Sequence, residues 1–280
     1  MAIITLLTDF GVQDEYVGVL KGVILDRNPG AVIVDISHGI DAQDIAAAAH
    51  ALKAAYPYFP VGTVHAVVVD PGVGTGRDIL AAEGDGHCFI APDNGLLGPV
   101  LGGCASPSIY RLENELLFRQ PVSNTFHGRD IIAPVAAHLA SGLSMGDLGP
   151  AVALNDIQML KNAGAVRITP RQIEGRIISI DRFGNLMTNI RSDDLAVLGA
   201  GPFWIDVGDI RIRGLVTAYA QGEPRKPLAL ISSRNTVEIA VREGNAARRL
   251  NIDKGAVVRV AADCGKPELP GPPNGKQRTT

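Results

Sequence analysis

The sequence predicts an α/β sandwich with a mostly parallel central sheet, followed by an all-β, barrel-like domain. Three observations carry that expectation. Strand and helix signals alternate through the first half; the early strands are nearly unbroken apolar runs; and beyond residue 170 the runs become short and turn-separated. Unbroken apolar strands suit a parallel sheet covered on both faces.

Residues 2–7 form the first apolar, β-rich run. Residues 14–27 carry helical spacing, with Tyr16, Val17, Leu20, Val23 and Ile24 on one side, and Asn28-Pro29-Gly30 stops them. A second strand is expected at 31–36, an alanine-rich helix at 42–56 and a third strand at 63–69. Further strands are expected at 79–82 and 87–91, and a helix at 130–140. The character shifts near residues 155–171. Short strands then follow at 175–180, 186–190, 203–207, 210–215, 228–232, 237–241 and 256–261, with one helical pattern at 245–250. The expected organisation is therefore 1–160 for the α/β domain, 170–262 for the β domain and 263–280 for a flexible tail rich in Pro, Gly and charge.

The bulk numbers exclude several classes. The 280 residues are 46% hydrophobic and 20% charged, close to a globular average. A net charge of −3 gives no electrostatic case for nucleic acid or an anionic membrane. No apolar run approaches the roughly 20 residues of a membrane span. The first nine residues lack a basic n-region and reach Asp9 too soon for a secretory signal. Cys88, Cys104 and Cys264 have no CxxC spacing and read as reduced thiols, so the expected compartment is cytoplasmic.

Two segments dominate. Val68-Val69-Asp70-Pro71-Gly72-Val73-Gly74-Thr75-Gly76-Arg77 is an apolar strand ending in a carboxylate, then a glycine loop ending in a cation. Thr125-Phe126-His127-Gly128-Arg129-Asp130 sets an imidazole just ahead of a helix. An acid, a guanidinium and an imidazole on loops beside a buried sheet suit the positioning of a water or polar substrate. The glycine loop has neither the GK[ST] ending of a phosphate loop nor GxGxxG spacing. A simple Asp70–Arg77 ion pair bracing the loop is compatible with either role.

Asp9 ends the first strand, at the edge where α/β sheets bind ligands, and a carboxylate there can accept two hydrogen bonds from a sugar diol. Asp9 and Asp14 are alternatively caps of the following helix. Asn94, in Ala91-Pro92-Asp93-Asn94-Gly95, is either a donor to an adenine or ribose or the occupant of a left-handed turn. In the β domain, Asp181-Arg182-Phe183-Gly184-Asn185 and Ser232-Ser233-Arg234-Asn235 are polar clusters between strands; Phe183 offers a stacking face and Asn185 a hydrogen-bonding edge, against ordinary turn chemistry. Asp9, Asp14, Asp70 and His127 could form an oxygen-rich metal site, but there is no HxxxH, HxH or CxxC, and no metal is expected.

Leu7-Thr8-Asp9-Phe10-Gly11, Lys21-Gly22, Val69-Asp70-Pro71-Gly72-Val73-Gly74-Thr75, Ala91-Pro92-Asp93-Asn94-Gly95-Leu96-Leu97, Thr125-Phe126-His127-Gly128-Arg129-Asp130, Ala136-Ala137-His138-Leu139-Ala140 and Phe183-Gly184-Asn185 occur in that order. This series resembles the S-adenosylmethionine hydroxide adenosyltransferases, water-using relatives of the fluorinating and chlorinating adenosyl transferases. The resemblance spans roughly residues 2 to 262.

The resemblance implies an N-terminal α/β domain joined to a β-barrel, and a homotrimer in which each substrate lies between one subunit's first domain and a neighbour's second. It implies hydrolysis of S-adenosyl-L-methionine to adenosine and L-methionine, with no cofactor. It assigns the catalytic triad to Asp70, Arg77 and His127 and the ribose contact to Asp9. Asp14, Asn94, Phe126, Asp181, Phe183, Asn185, Ser233 and Arg234 are the further substrate contacts expected. Halogenating relatives carry a tyrosine or glycine in place of Asp70 and a tyrosine in place of His127. A carboxylate repels a halide and accepts a proton from water, so hydrolysis is favoured over halide use. The alternatives are a chlorinase-like transferase and a non-catalytic S-adenosylmethionine or adenosine sensor.

Overall fold

The computed structural model describes residues 2–160, 164–199 and 202–263. The chain divides into two compact units, Met1–Ala163 and Gly164–Thr280. From residue 264 on, the expected tail lies outside the described residues, and Cys264 with it.

The first unit contains β1 (Ile3–Thr8), α1 (Tyr16–Arg27), β2 (Val32–Ser37), α2 (Ile45–Ala55), β3 (Val64–Val68), β4 (Ile79–Gly84), β5 (His87–Pro92), α3 (Gly98–Leu101), β6 (Ser108–Arg111), α4 (Ala133–Ala140) and β7 (Ala151–Val152). Its sheet is ordered β2-β1-β3-β5-β4-β6-β7. The β2-β1-β3-β5 half is parallel, and the rest is antiparallel. The change of direction comes at β4–β5, joined by the tight Asp85-Gly86 turn with φ of 51° and 78°. Two residues permit a hairpin but no crossover.

Alternation along the strands builds two cores. Ile4 and Leu6 of β1 and Val64, Ala66 and Val68 of β3 pack with Leu20 and Ile24 of α1 and with α4. Leu7 and Val67 point the other way, toward Ala48, Ala49 and Leu52 of α2 and Val100 and Leu101 of α3. Burial on both faces explains the unbroken apolar runs. The helix expected at 42–56 begins later, because the Asp44 side chain caps it by accepting from Ala47 N at 3.0 Å. The helix expected at 130–140 opens instead with one wide turn, Gly128–Ile132, closed by Ala133 N–H on Gly128 O. Pro134 has no N–H to give Asp130 O, and Arg119 N takes that carbonyl at 2.8 Å.

The second unit contains β8 (Val166–Thr169), β9 (Gln172–Ile180), β10 (Leu186–Arg191), α5 (Ser192–Ala196), β11 (Phe203–Val207), β12 (Ile210–Arg213), β13 (Pro227–Ile231), β14 (Thr236–Val241), α6 (Ala246–Leu250) and β15 (Val257–Ala262). The antiparallel order is β12-β11-β15-β9-β10-β14-β13, with β8 also on β9. Val216, just past β12, bridges Leu230 of β13 and nearly closes the sheet into a barrel. Ile173, Ile177, Leu186, Ile205, Ile239, Val258 and Val260 fill it. The sequence reading missed β8 because all four of its residues are exposed and show no inward-facing period.

Candidate active site

β1 and β3 end at the same edge of the first sheet. Asp9 follows β1, and Asp70 lies two residues past β3. Beyond that edge lies a cavity of about 610 Å³ lined by Asp9, Phe10, Tyr16, Gln43, Asp70, Phe126, His127 and Arg129, among others. The two dominant sequence segments therefore meet here.

Asp70 and Arg77 form a bidentate pair, with Arg77 Nε 2.6 Å from Asp70 Oδ1 and Nη2 donating to Oδ2. Their side chains are only 5% and 10% exposed, so the pair is largely withdrawn from water. Arg77 Nη2 also lies 3.0 Å from His127 Nδ1. Guanidinium only donates, so Nδ1 accepts and the neutral ring carries its hydrogen on Nε2. Burial first, and then the nearby Arg77 charge, lower the His127 pKa; Asp70 and Asp130 pull it back only in part. His127 is thus a neutral Nε2–H donor near pH 7.

Two loops must touch for this geometry. Gly74 has φ of +78°, and a Cβ there would sit 2.2 Å from Asn124 O. Gly74 lets the Asp70–Arg77 loop seat directly on the loop before His127. Gly128 has a packing role as well: a Cβ would meet Val68 Cγ1 at 3.0 Å. Asp130 is fully buried and accepts from Arg129 Nε at 2.7 Å, Arg129 Nη2 at 2.8 Å and Ser123 N at 2.9 Å. It ties together both ends of the segment that carries Phe126 and His127.

Asp9 Oδ2 accepts from Gln43 N at 2.8 Å. Gln43 holds φ at +67°, a strained conformation for a non-glycine residue. Phe126 packs edge to face on both Phe10 and Tyr16, which are themselves tilted at 53°, and the centroids lie 5.3–5.8 Å apart, making an apolar wall. Phe10, Tyr16 and Gln43 escaped the sequence reading, since nothing in their spacing separates them from core or turn residues.

Two of the contacts expected in the first unit do not line this cavity. Asp14 is exposed, does not line the cavity and does not cap α1, whose N-cap is Glu15 without a side-chain bond. Asn94 does not line the cavity either. Its Nδ2 donates to Val69 O at 2.9 Å and its Oδ1 accepts from Leu96 N at 3.3 Å, so it braces the strand that leads to Asp70. The left-handed position of that turn belongs to Gly95.

In the second unit, Asp181 and Asn185 knit the β9–β10 turn. Asp181 Oδ1 accepts from Phe183 N at 2.9 Å and Asn185 N at 2.8 Å, and Oδ2 accepts from Asn185 Nδ2 at 3.0 Å. Phe183 is left 75% exposed on that rigid turn. Ser233 and Arg234 are exposed at the tip of the β13–β14 hairpin. Glu238, absent from the sequence reading, is buried and takes a 2.7 Å bond from Tyr219 Oη. Burial and the Asp181 charge raise its pKa, while Tyr219 and Arg234 counter them. Among the described residues no group of three or more His, Cys, Asp or Glu could hold a metal ion. No helix among them is long and apolar enough to cross a membrane.

A family model described as the SAM hydroxide adenosyltransferase N-terminal domain matches residues 4–149, and its C-terminal counterpart matches residues 175–259. A Thermus thermophilus protein named (R)-S-adenosyl-L-methionine hydrolase is 37% identical over 261 residues, covering 91% of this chain and 97% of its own length. One of the same name from Methanocaldococcus jannaschii is 34% identical, covering 90% and 92%. A fluorinase of an Actinoplanes species is 28% identical, covering 92% and 97%. A crystal structure of an uncharacterized conserved protein from Thermotoga maritima superposes with a TM-score of 0.85 at 35% identity, over 92% of this chain and 99% of that one.

Proposed function

The chain belongs to the SAM hydroxide adenosyltransferase family, and we propose from that premise that it hydrolyses S-adenosyl-L-methionine to adenosine and L-methionine. The observation that carries the reading is the junction at Arg77, which donates to both Asp70 and His127 at the cavity edge.

The electrophile is C5′ of a sulfonium. Methionine departs as a neutral thioether and needs no acid. The difficulty is water, whose pKa is about 15.7. A water attacks C5′ in line as the C5′–S bond breaks, and its proton passes to Asp70 and then to solvent. His127 is a poor candidate for the base, because its one acceptor nitrogen faces Arg77. Its Nε2–H suits a donor that steadies the developing hydroxide charge. The carboxylates of Asp9 and Asp70 complement the sulfonium cation, and Asp9 takes the ribose diol. Alignment of this kind supplies about 7–11 kcal/mol in favourable cases. No metal or cofactor is called on, since the sulfonium is already an activated leaving group.

The proposal extends to a homotrimer, in which Phe183, Asn185, Asp181, Ser233 and Arg234 come to each cavity from a neighbouring copy. The exposed Phe183 ring on its braced turn supports that reading, as a stacking face for a flat base. The free thiols Cys88 and Cys104 support a reducing, cytoplasmic compartment.

Turnover of S-adenosylmethionine in ¹⁸O-labelled water tests the reaction. The expected label lies on the adenosine 5′-hydroxyl. Unlabelled adenosine would remove the proposed attack, and a 5′-halogenated nucleoside formed in chloride would favour the halide route.

A further inference from the structure

We propose that His38 is a positioning residue for the Asp9–Phe10 wall of the cavity, an inference that rests on the assignment of Asp9 to the ribose. His38 lies just past β2, only 6% exposed and outside the cavity lining. It holds the Asp9–Phe10 segment at both ends. On one side Thr8 Oγ1 is 2.9 Å from His38 Nδ1. On the other, Gly11 N donates to His38 O at 2.8 Å. Phe10 N donates to the same Thr8 hydroxyl at 3.2 Å, so the ring, the hydroxyl and the Phe10 backbone form one chain.

The protons have a definite arrangement. His38 Nε2 is 3.1 Å from Asp35 Oδ1, close but off-line for a good hydrogen bond. A lone pair facing a carboxylate would be repelled, so Nε2 carries the hydrogen and Nδ1 accepts from the Thr8 hydroxyl. Asp35 is anchored in turn by Lys21 Nζ at 2.6 Å. The series Lys21–Asp35–His38–Thr8 therefore runs from the α1 surface to the backbone that presents Asp9. Groups that lock a binding residue's backbone act through geometry, and a displacement of about 1 Å can cost about 10²-fold in rate.

A purely structural role would weaken the protein whatever residue stands at position 9. The test is therefore a double-mutant cycle read by adenosine binding in calorimetry, with His38→Ala made in wild type and in Asp9→Asn. Coupling through Asp9 predicts a loss of about ten-fold in wild type and less than about two-fold in Asp9→Asn. His38→Asn, whose Oδ1 can accept from Thr8, is expected to restore binding to within about two-fold of wild type. Thr8→Val removes only the hydroxyl and should reproduce the His38→Ala loss; it carries the test if His38→Ala does not fold. Equal losses in both backgrounds, or none in either, would overturn the inference. If Asp9→Asn itself binds adenosine like wild type, the ribose assignment falls, and the role of His38 falls with it.

Discussion

Arg77 and His127, fifty residues apart, are joined by one bond: Nη2 donates to Nδ1 at 3.0 Å. The bond exists only while the imidazole is neutral, because a protonated ring has no acceptor nitrogen. The charge state of His127 therefore governs whether Arg77 can serve both its partners.

The first prediction is a pH profile. Burial and Arg77 hold the His127 pKa below its ordinary value, so the neutral ring persists below about pH 6.5. kcat/KM should be level above that value and fall with one-proton slope only below it. Rates measured between pH 4.5 and 8 decide the matter. An inflection clearly above 6.5 would break the link between His127 neutrality and turnover.

Asp70→Ala separates chemistry from binding. Loss of the proposed proton acceptor should lower kcat by about 10²–10⁴. Adenosine affinity should change little, since the ribose contact lies on Asp9. Steady-state kinetics with product-binding calorimetry provide the check, and a loss confined to affinity would remove Asp70 from the transition state.

Gly74→Ala tests the contact between the two loops. A Cβ would lie 2.2 Å from the Asn124 carbonyl oxygen, and the residue would also have to hold φ at +78°. The loops must part, moving Asp70 and Arg77 away from His127. Turnover should fall about 10²-fold, with a clear drop in Tm. Full activity would mean that the seating of Gly74 on Asn124 is dispensable.

Much of this was legible in the sequence because burial on two faces leaves an unmistakable mark. The runs that became β1 and β3 are apolar at nearly every position, and Asp9 and Asp70 stand out as the acids that end them. His127 stood out because it precedes a helix in a polar loop. His38 did not: its partners Thr8 and Asp35 belong to two different strands, and only the parallel pairing of β1 with β2 brings them together. Glu238 sat unnoticed in β14, where the fold buries its carboxylate and gives it the Tyr219 hydroxyl as a partner. Asn94 stays open in the sequence for the opposite reason. A polar residue in a strand-end loop looks like a ligand contact, yet Val69 O and Leu96 N use its amide.

Asp130→Asn predicts how the His127 loop is held. The carboxylate is fully buried and serves Arg129 and Ser123 N, with Arg119 at 3.4 Å. Burial works against its charge, but these donors outweigh burial and the pKa lies below the ordinary value. A depressed carboxyl pKa contributes stability above the unfolded value of about 4, and that stability is lost as pH falls through the folded value. Asp130→Asn should therefore cost about 2–3 kcal/mol at pH 7, since charged hydrogen bonds are lost while the partly exposed Arg129 can still reach water. From about pH 4 downward the gap between the variant and wild type should narrow, because the unfolded chain takes up a proton there before the native carboxyl does; it closes only as pH falls through the lower folded value. Urea unfolding at pH 7 and pH 3.5 measures both gaps. An equal gap at the two pH values would mean that Asp130 supports the loop through shape alone, and that its charge does not hold His127 in place.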